Sequence, residues 1–153
     1  MKLRKASVED SKLIRKMQTE AFAELLAKYR DYDTNPGNES AEKIRLKIQQ
    51  PFTYYYFIEQ GEDVVGAIRI VDMKDGSRKR ISPLFIMPAY RNKGYAQSAI
   101  REAERLHGQD NWKLATILQE DANCWLYEKM GYQKTGRTEI INDRMTIVHY
   151  EKN

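Results

Sequence analysis

Thiol and imidazole are scarce in this chain. Its 153 residues include one cysteine, Cys124, and two histidines, His107 and His149. One cysteine cannot close an internal disulfide, so nothing points to a secreted disulfide scaffold. The same counts exclude a zinc site built from several cysteines, and no carboxylates fall at metal-ligand spacing, so no metal is expected. Proline is limited to four positions and glycine to eight. No Pro/Gly/Ser tract divides the chain, and there is no internal repeat. No apolar run approaches the roughly 20 residues a membrane helix needs. The N-terminal MKLRKASVEDSK has no apolar stretch of the kind a signal peptide carries. These absences predict a cytoplasmic protein without a membrane partner, folded as a single domain over 1–153. Charge of one sign is not in large excess either. The 26 Lys and Arg are interspersed with 22 Asp and Glu, for a net +4. That pattern suits a solvated mixed surface and argues against a nucleic-acid-binding stripe.

What is present alternates between strand and helix periods. Residues 2–6 read as a short strand. Ser7 with Asp10 resembles a capping box, opening a helix over 8–28 whose apolar face carries Leu13, Ile14, Met17, Ala21 and Leu25. Residues 29–38 hold Asn-Pro-Gly and two aspartates, hence a loop, and a second helix covers 40–49 with Ile44 and Ile48 on one face. Residues 52–58 are aromatic and β-branched, and 64–71 return as a hairpin partner across Gly61-Glu62-Asp63. A strand over 78–87 contains Pro83, which lacks a donor and so demands an edge or a bulge. A helix over 94–107 turns Ala96, Ala99, Ile100, Ala103 and Leu106 inward and ends at Gly108. Then come a strand over 112–118, a short helix from Asp121 to Met130 capped by Asp121, and a closing pair over 132–141 and 145–151. The order β-α-α-β-β-β-α-β-α-β-β predicts an α/β (α+β) fold. Its expected core is a mixed, mostly antiparallel sheet of six to seven strands flanked by about four helices.

The most informative segment is Pro83 to Ile100. A hydrophobic strand ends at Pro88, a polar turn follows (Arg91, Asn92, Lys93, Gly94, Tyr95, Ala96), and a helix begins. The first turn of a helix carries unpaired N–H groups and the positive end of the dipole, so an anionic phosphate fits there. Gly94 lets backbone approach the ligand, Ala96 is small, and Arg91 and Lys93 add positive charge. The pattern is neither a Walker loop nor the dinucleotide fingerprint. As Arg-x-x-Gly-x-Ala between a strand and a helix, it resembles the acetyl-CoA pyrophosphate loop of the GNAT acetyltransferase superfamily. Leu126-Tyr127-Glu128-Lys129-Met130-Gly131-Tyr132 is similar to that family's segment on its last helix. The element order matches over nearly the whole chain.

The resemblance implies the following. Strand 78–87 would splay from its neighbour to open a slot for acyl-CoA. Backbone at Phe85, Ile86 and Met87 would pair with pantetheine amides. Arg91, Asn92, Lys93, Gly94, Tyr95 and Ala96 would supply the pyrophosphate contacts. Tyr127 would be the general acid for the departing thiol, a phenol and a thiolate having comparable basicity. The asparagine that many members carry six or seven residues before this tyrosine is replaced here by Asp121 and Glu120. Either Asn123, four residues before Tyr127, takes over the pantetheine contact, or the contact is absent. No fixed general base carries over. Glu120 is the first candidate and Glu59 the second, with a solvated surface carboxylate the simpler reading for each.

The implied activity is an N-acetyltransferase that moves the acetyl group of acetyl-CoA to a primary amine by direct transfer. The alternative is a non-catalytic acyl-CoA-binding module of the same fold. The acceptor partner is a small-molecule or protein amine, and the assembly a monomer or homodimer. Asp31 and Asp33, with Tyr29 and Tyr32, fall where the family builds its acceptor wall. Turn formation is the competing explanation for that loop. Cys124 reads as a buried inert thiol. His107 reads as a last-turn residue suited to the helix dipole, and His149 as packed or exposed. Trp112 and Trp125 read as core or groove residues.

Overall fold

The computed structural model describes residues 1–153. In chain order the elements are β1 (Lys2–Lys5), α1 (Ser11–Tyr29), α2 (Ala41–Gln49), β2 (Thr53–Gln60), β3 (Asp63–Val71), β4 (Lys79–Ile86), α3 (Tyr95–His107), β5 (Trp112–Ile117), α4 (Asp121–Lys129), β6 (Gln133–Ile140) and β7 (Thr146–Lys152). The seven strands form one sheet in the order β1-β2-β3-β4-β5-β7-β6. All neighbours are antiparallel except β4 and β5, which run parallel. This is the mixed, mostly antiparallel sheet with four α-helices that the alternating periods predict.

Side-chain alternation along β2 builds a core on both faces. Tyr55 and Phe57 pack with Ile14, Met17, Ala21 and Ile44 of α1 and α2, joined by Ala67 and Phe85. Tyr56 and Ile58 point the other way, into a larger cluster with Ile68, Ile70, Ile81, Ile100, Trp112, Leu114, Val148 and Tyr150. Each fully buried isoleucine contributes about 1.5–3 kcal/mol, an upper figure because unfolded chains already hide some apolar surface. No helix is long and apolar enough to cross a membrane.

Several local expectations are corrected. The capping turn at Ser7 opens a 3-10 turn over Val8–Asp10 before α1 starts, with Asp10 accepting the Ser7 N–H at 2.8 Å. Leu13 and Leu106 lie in solvent. The buried face of α1 runs through Ser11, Ile14, Met17, Gln18 and Ala21 instead. In α3 the inward position belongs to Glu104, which takes Lys152 Nζ at 3.0 Å on each carboxylate oxygen and the Tyr132 hydroxyl at 3.1 Å. A charged residue on an inward face is tolerated when it is paired in this way. Asp121 does not cap α4. Glu120 holds the N-cap position, and its carbonyl accepts the N–H groups of Asn123 and Cys124.

The two middle strands make the feature that positions the site. Ile68 faces Leu84 and Ile70 faces Ile81, so Ser82 and Pro83 both stand opposite Arg69. This is the bulge that a proline without a donor requires. The buried Arg69 side chain donates from Nη1 to the Ser82 carbonyl at 2.9 Å. On its other side β4 pairs with β5 only through Lys79 with Trp112 and Arg80 with Lys113. From there to Ile86 and Ile117 the two strands are unpaired and a slot opens between them.

Candidate active site

The slot belongs to a cavity of about 1010 Å³ that reaches both faces of the sheet. On one face it is lined by Tyr95, Ala96, Asn123, Leu126 and Tyr127 of α3 and α4. On the other it is bounded by Asp31, Thr34, Arg137, Glu139, Ile147 and His149.

At one end stands the turn from β4 into α3. The N–H groups of Asn92, Lys93, Gly94, Tyr95, Ala96 and Gln97 have no main-chain acceptor, and the first bond of the helix is Ser98 N–H to Gly94 O at 3.1 Å. Asn92 (φ 64°) and Gly94 (φ 82°) adopt left-handed backbone. Alternation of this kind curls successive N–H groups into an anion-binding concavity. The donors there fit a pyrophosphate without further adjustment. Arg91 is placed differently from the sequence expectation. Its Nε donates to Ile86 O at 3.0 Å and its Nη2 to Ala21 O at 2.7 Å. The guanidinium therefore ties the turn to β4 and α1 instead of projecting freely toward a phosphate. Lys93 lies with its ammonium 5.9 Å from the Tyr90 ring centre.

Of the three backbone positions singled out at the end of β4, only Ile86 faces the slot, with its N–H free and its carbonyl already accepting from Arg91 Nε at 3.0 Å. Met87 gives its N–H to Val65 O at 2.8 Å and its carbonyl accepts the Tyr90 N–H at 2.9 Å. Strand groups alternate sides, so Phe85 also faces β3 and Ile86 faces the slot. The approach at Phe85 is close: a Cβ on Gly66 would lie 2.1 Å from the Phe85 carbonyl oxygen, which only glycine permits.

Tyr127 is buried, with its ring against Tyr132 and Tyr150 at centroid distances of 6.1 and 6.3 Å. Burial, with a smaller contribution from Cys124, pushes its phenol up to about 12. Nothing in the chain accepts from or donates to that hydroxyl, and the residue lines the cavity. Asn123 lines it as well. Cys124 is buried, with Sγ directed at the Ile117 and Leu118 carbonyls at 3.8 Å.

Glu120 reaches the cavity from the N-cap of α4. Burial alone would raise its carboxyl, but hydrogen bonds from Tyr29 at 2.5 Å and Lys28 at 2.9 Å outweigh it and hold the group below the usual carboxylate range. Glu59 is not brought to the cavity. It sits on β2 beside β1, where Arg4 Nε meets it at 2.7 Å and Lys2 Nζ at 4.0 Å. Asp31 lines the cavity while accepting the Thr34 N–H at 3.1 Å and the Thr34 hydroxyl, so its carboxylate also shapes the turn. Asp33 and Tyr32 face solvent. Tyr29 acts through Glu120 and is not part of the lining.

Other polar residues are settled elsewhere. His107 ends α3 between the Asp72 carboxylate at 2.9 Å and the Tyr56 hydroxyl at 2.8 Å, inside the core and away from the cavity. Trp112 is fully buried and donates to Gly108 O at 2.8 Å, whereas Trp125 is exposed at the cavity wall. The sequence reading missed Lys28, Arg80, Lys113, Arg137 and Glu139. The alternation Lys113, Ala115, Ile117 along β5 was the available signal for a second lined face.

A sequence profile of the acetyltransferase (GNAT) family matches residues 15–132. No curated protein matches the chain. Among solved structures it is similar to the PaiA N-acetyltransferase of Thermoplasma acidophilum in complex with coenzyme A, at 17% identity and TM-score 0.75, covering 99% of this chain and 98% of that one. It is similar to the spermidine N-acetyltransferase of Vibrio cholerae in complex with CoA and spermine, at 13% identity and TM-score 0.75, covering 97% and 92%. An acetyltransferase from Thermus thermophilus matches at 14% identity and TM-score 0.71, covering 97% and 94%. At such identities the likeness establishes the fold. The profile match goes further: the chain belongs to the GNAT acetyltransferase family. Acetyl-CoA is the cosubstrate that this membership brings, and the run of free N–H groups from Asn92 to Gln97 suits its pyrophosphate.

Proposed function

We propose that the chain, acting as one catalytic domain over 1–153, catalyses direct transfer of an acetyl group from acetyl-CoA to a primary amine in a ternary complex. The observation that carries this reading is a slot with a phosphate-suited N–H turn at one end and an unengaged, protonated phenol in its wall. The thioester supplies the activated acetyl group. The Asn92–Gln97 N–H groups hold the pyrophosphate, Ile86 offers its main-chain N–H to pantetheine, and Asn123 offers its amide. Tyr127 donates its proton to the departing sulfur. Glu120, kept ionised by Tyr29 and Lys28, attracts the ammonium form of the acceptor. Its low basicity suits it to passing the proton on to water. Cys124, buried against carbonyls, has no part, which favours direct transfer over an acyl-enzyme route.

Initial velocities with acetyl-CoA and an amine, read as thiol release, test the reading. Intersecting lines are expected. Parallel lines indicate a covalent intermediate and overturn direct transfer. Acetyl-CoA binding with no amine-dependent release across a broad panel would leave only a binding module.

A further inference from the structure

The chemistry of the acceptor is written in the charges that remain unpaired along the cavity. Most lining cations are already matched. Arg91 is held by two carbonyls, and Arg137 meets Glu139 at 3.1 Å. His149 meets the same Glu139 at 2.7 Å. Of the lining carboxylates, Glu120 is ion-paired with Lys28 and also takes the Tyr29 hydroxyl, while Asp31 is hydrogen-bonded by the neutral Thr34 and keeps its charge within its own turn. Glu24, almost fully in solvent, approaches Arg91 at 4.0 Å.

Two cations have neither an ion pair nor a hydrogen bond. Arg80 and Lys113 are direct register partners across the short parallel β4–β5 ladder, and both line the cavity where the slot closes. Like charges directly opposite each other on neighbouring strands are unfavourable. Lys113 has Glu151 of β7 as its other register partner, but Arg78 meets that carboxylate at 3.2 Å. Lys113 also lines a smaller side pocket of about 290 Å³, where Arg78 is paired with Glu151 and Arg137 and His149 with Glu139, so Lys113 is its one unmatched cation.

The position separates this pair from the cofactor's phosphates. Arg80 is six residues from Ile86, about 20 Å along a strand, and the N–H turn lies beyond Ile86 in the opposite direction. A pantetheine arm entering from that turn leads with its thiol toward the closed end. Arg80 and Lys113 thus lie ahead of the thiol, on the acceptor's side.

We propose that the acceptor is an amine that also carries an anionic group, a carboxylate or a phosphate, which Arg80 and Lys113 bind while the amine faces the thioester. The inference rests on the acetyltransferase reading above. It distinguishes this chain from enzymes whose acceptors are purely cationic polyamines, for which two unpaired cations in the acceptor path would be repulsive.

The test is kcat/KM on matched pairs: lysine against 1,5-diaminopentane, tyrosine against tyramine, and phosphoethanolamine against ethanolamine, with spermidine included. The anionic member of at least one pair is expected to be preferred by about tenfold or more, the size of a charge-assisted contact. The amino acid and phosphate arms identify which anion is used. Lys113→Ala and Arg80→Ala should raise KM for that acceptor about tenfold, leave KM for acetyl-CoA unchanged, and leave the matched neutral or cationic amine unaffected. Preference for spermidine or the plain diamines, or equal losses on both members of a pair, overturns the proposal while leaving the acetyltransferase intact. Acetyl-CoA binding with no acetylation of any amine removes both.

Discussion

The Tyr29 hydroxyl donates to Glu120 Oε2 at 2.5 Å, while Lys28 Nζ reaches the same oxygen at 2.9 Å. Two consecutive residues at the end of α1 thereby set the state of a carboxylate at the start of α4. The donors outweigh the burial that would otherwise raise its pKa. Tyr29→Phe should therefore let the Glu120 carboxyl rise. Activity that needs ionised Glu120 falls as pH drops through its pKa, so the acid limb of the kcat/KM profile should move to higher pH in the variant. An acid limb that stays in place detaches Glu120 from turnover. The same sign governs stability. A carboxyl lowered in the folded state stabilises the fold above its unfolded value and loses that contribution as pH falls. Thermal unfolding of the wild type should thus lose more between neutral and acid pH than that of Tyr29→Phe.

Tyr127 yields a second expectation. Its phenol is pushed up to about 12 by burial, so it stays protonated through the usable pH range while becoming a weaker acid than a free phenol. Tyr127→Phe should lower kcat about 100-fold, within the ordinary range for a lost general acid, with KM for acetyl-CoA little changed. Any alkaline limb below pH ~10 should survive the substitution, because Tyr127 does not titrate there. Unchanged kcat would assign the acid role to another group or to water.

How far these features were legible beforehand depended on how local their causes were. Pro83 announced the β4 bulge because a missing N–H is a property of one residue. The Gly94 turn was visible because a strand, a short polar turn and a helix follow one another directly. Glu104 was not legible as an inward residue, since its partners are Lys152 on the last strand and Tyr132 just before β6. The Arg80–Lys113 pairing was equally hidden. It exists only because β7 inserts between β5 and β6 and leaves β5 to meet β4. Arg91 read as a phosphate cation because its charge is plain in sequence. The Ala21 carbonyl that captures it lies 70 residues away.

That capture gives a third expectation. Arg91→Ala removes two hydrogen bonds that a charged group makes to carbonyls on β4 and α1. The side chain is partly exposed, so the loss of stability should be about 2 kcal/mol, seen as a fall in Tm of a few degrees. KM for acetyl-CoA should rise as the N–H turn loosens. Arg91→Lys should recover little of either, because one ammonium cannot span two carbonyls as a planar fork does. A rise in KM with Tm unchanged would instead mean that the guanidinium touches the cofactor directly.

Gly94 separates backbone strain from charge at the same turn. Its φ of 82° is left-handed, yet no atom lies within 4 Å of where a Cβ would sit. Gly94→Ala therefore meets strain without a clash and should cost about 1–2 kcal/mol of stability. Gly94→Glu carries the same backbone penalty but sets a carboxylate among the six free N–H groups proposed to bind the pyrophosphate. The two variants should unfold at similar temperatures while differing in cofactor affinity, with KM for acetyl-CoA about tenfold higher for Glu than for Ala. Because stability is matched within the pair, that difference comes from the carboxylate side chain at the turn, through its charge and its bulk. Equal KM values for the two would show that no phosphate binds there.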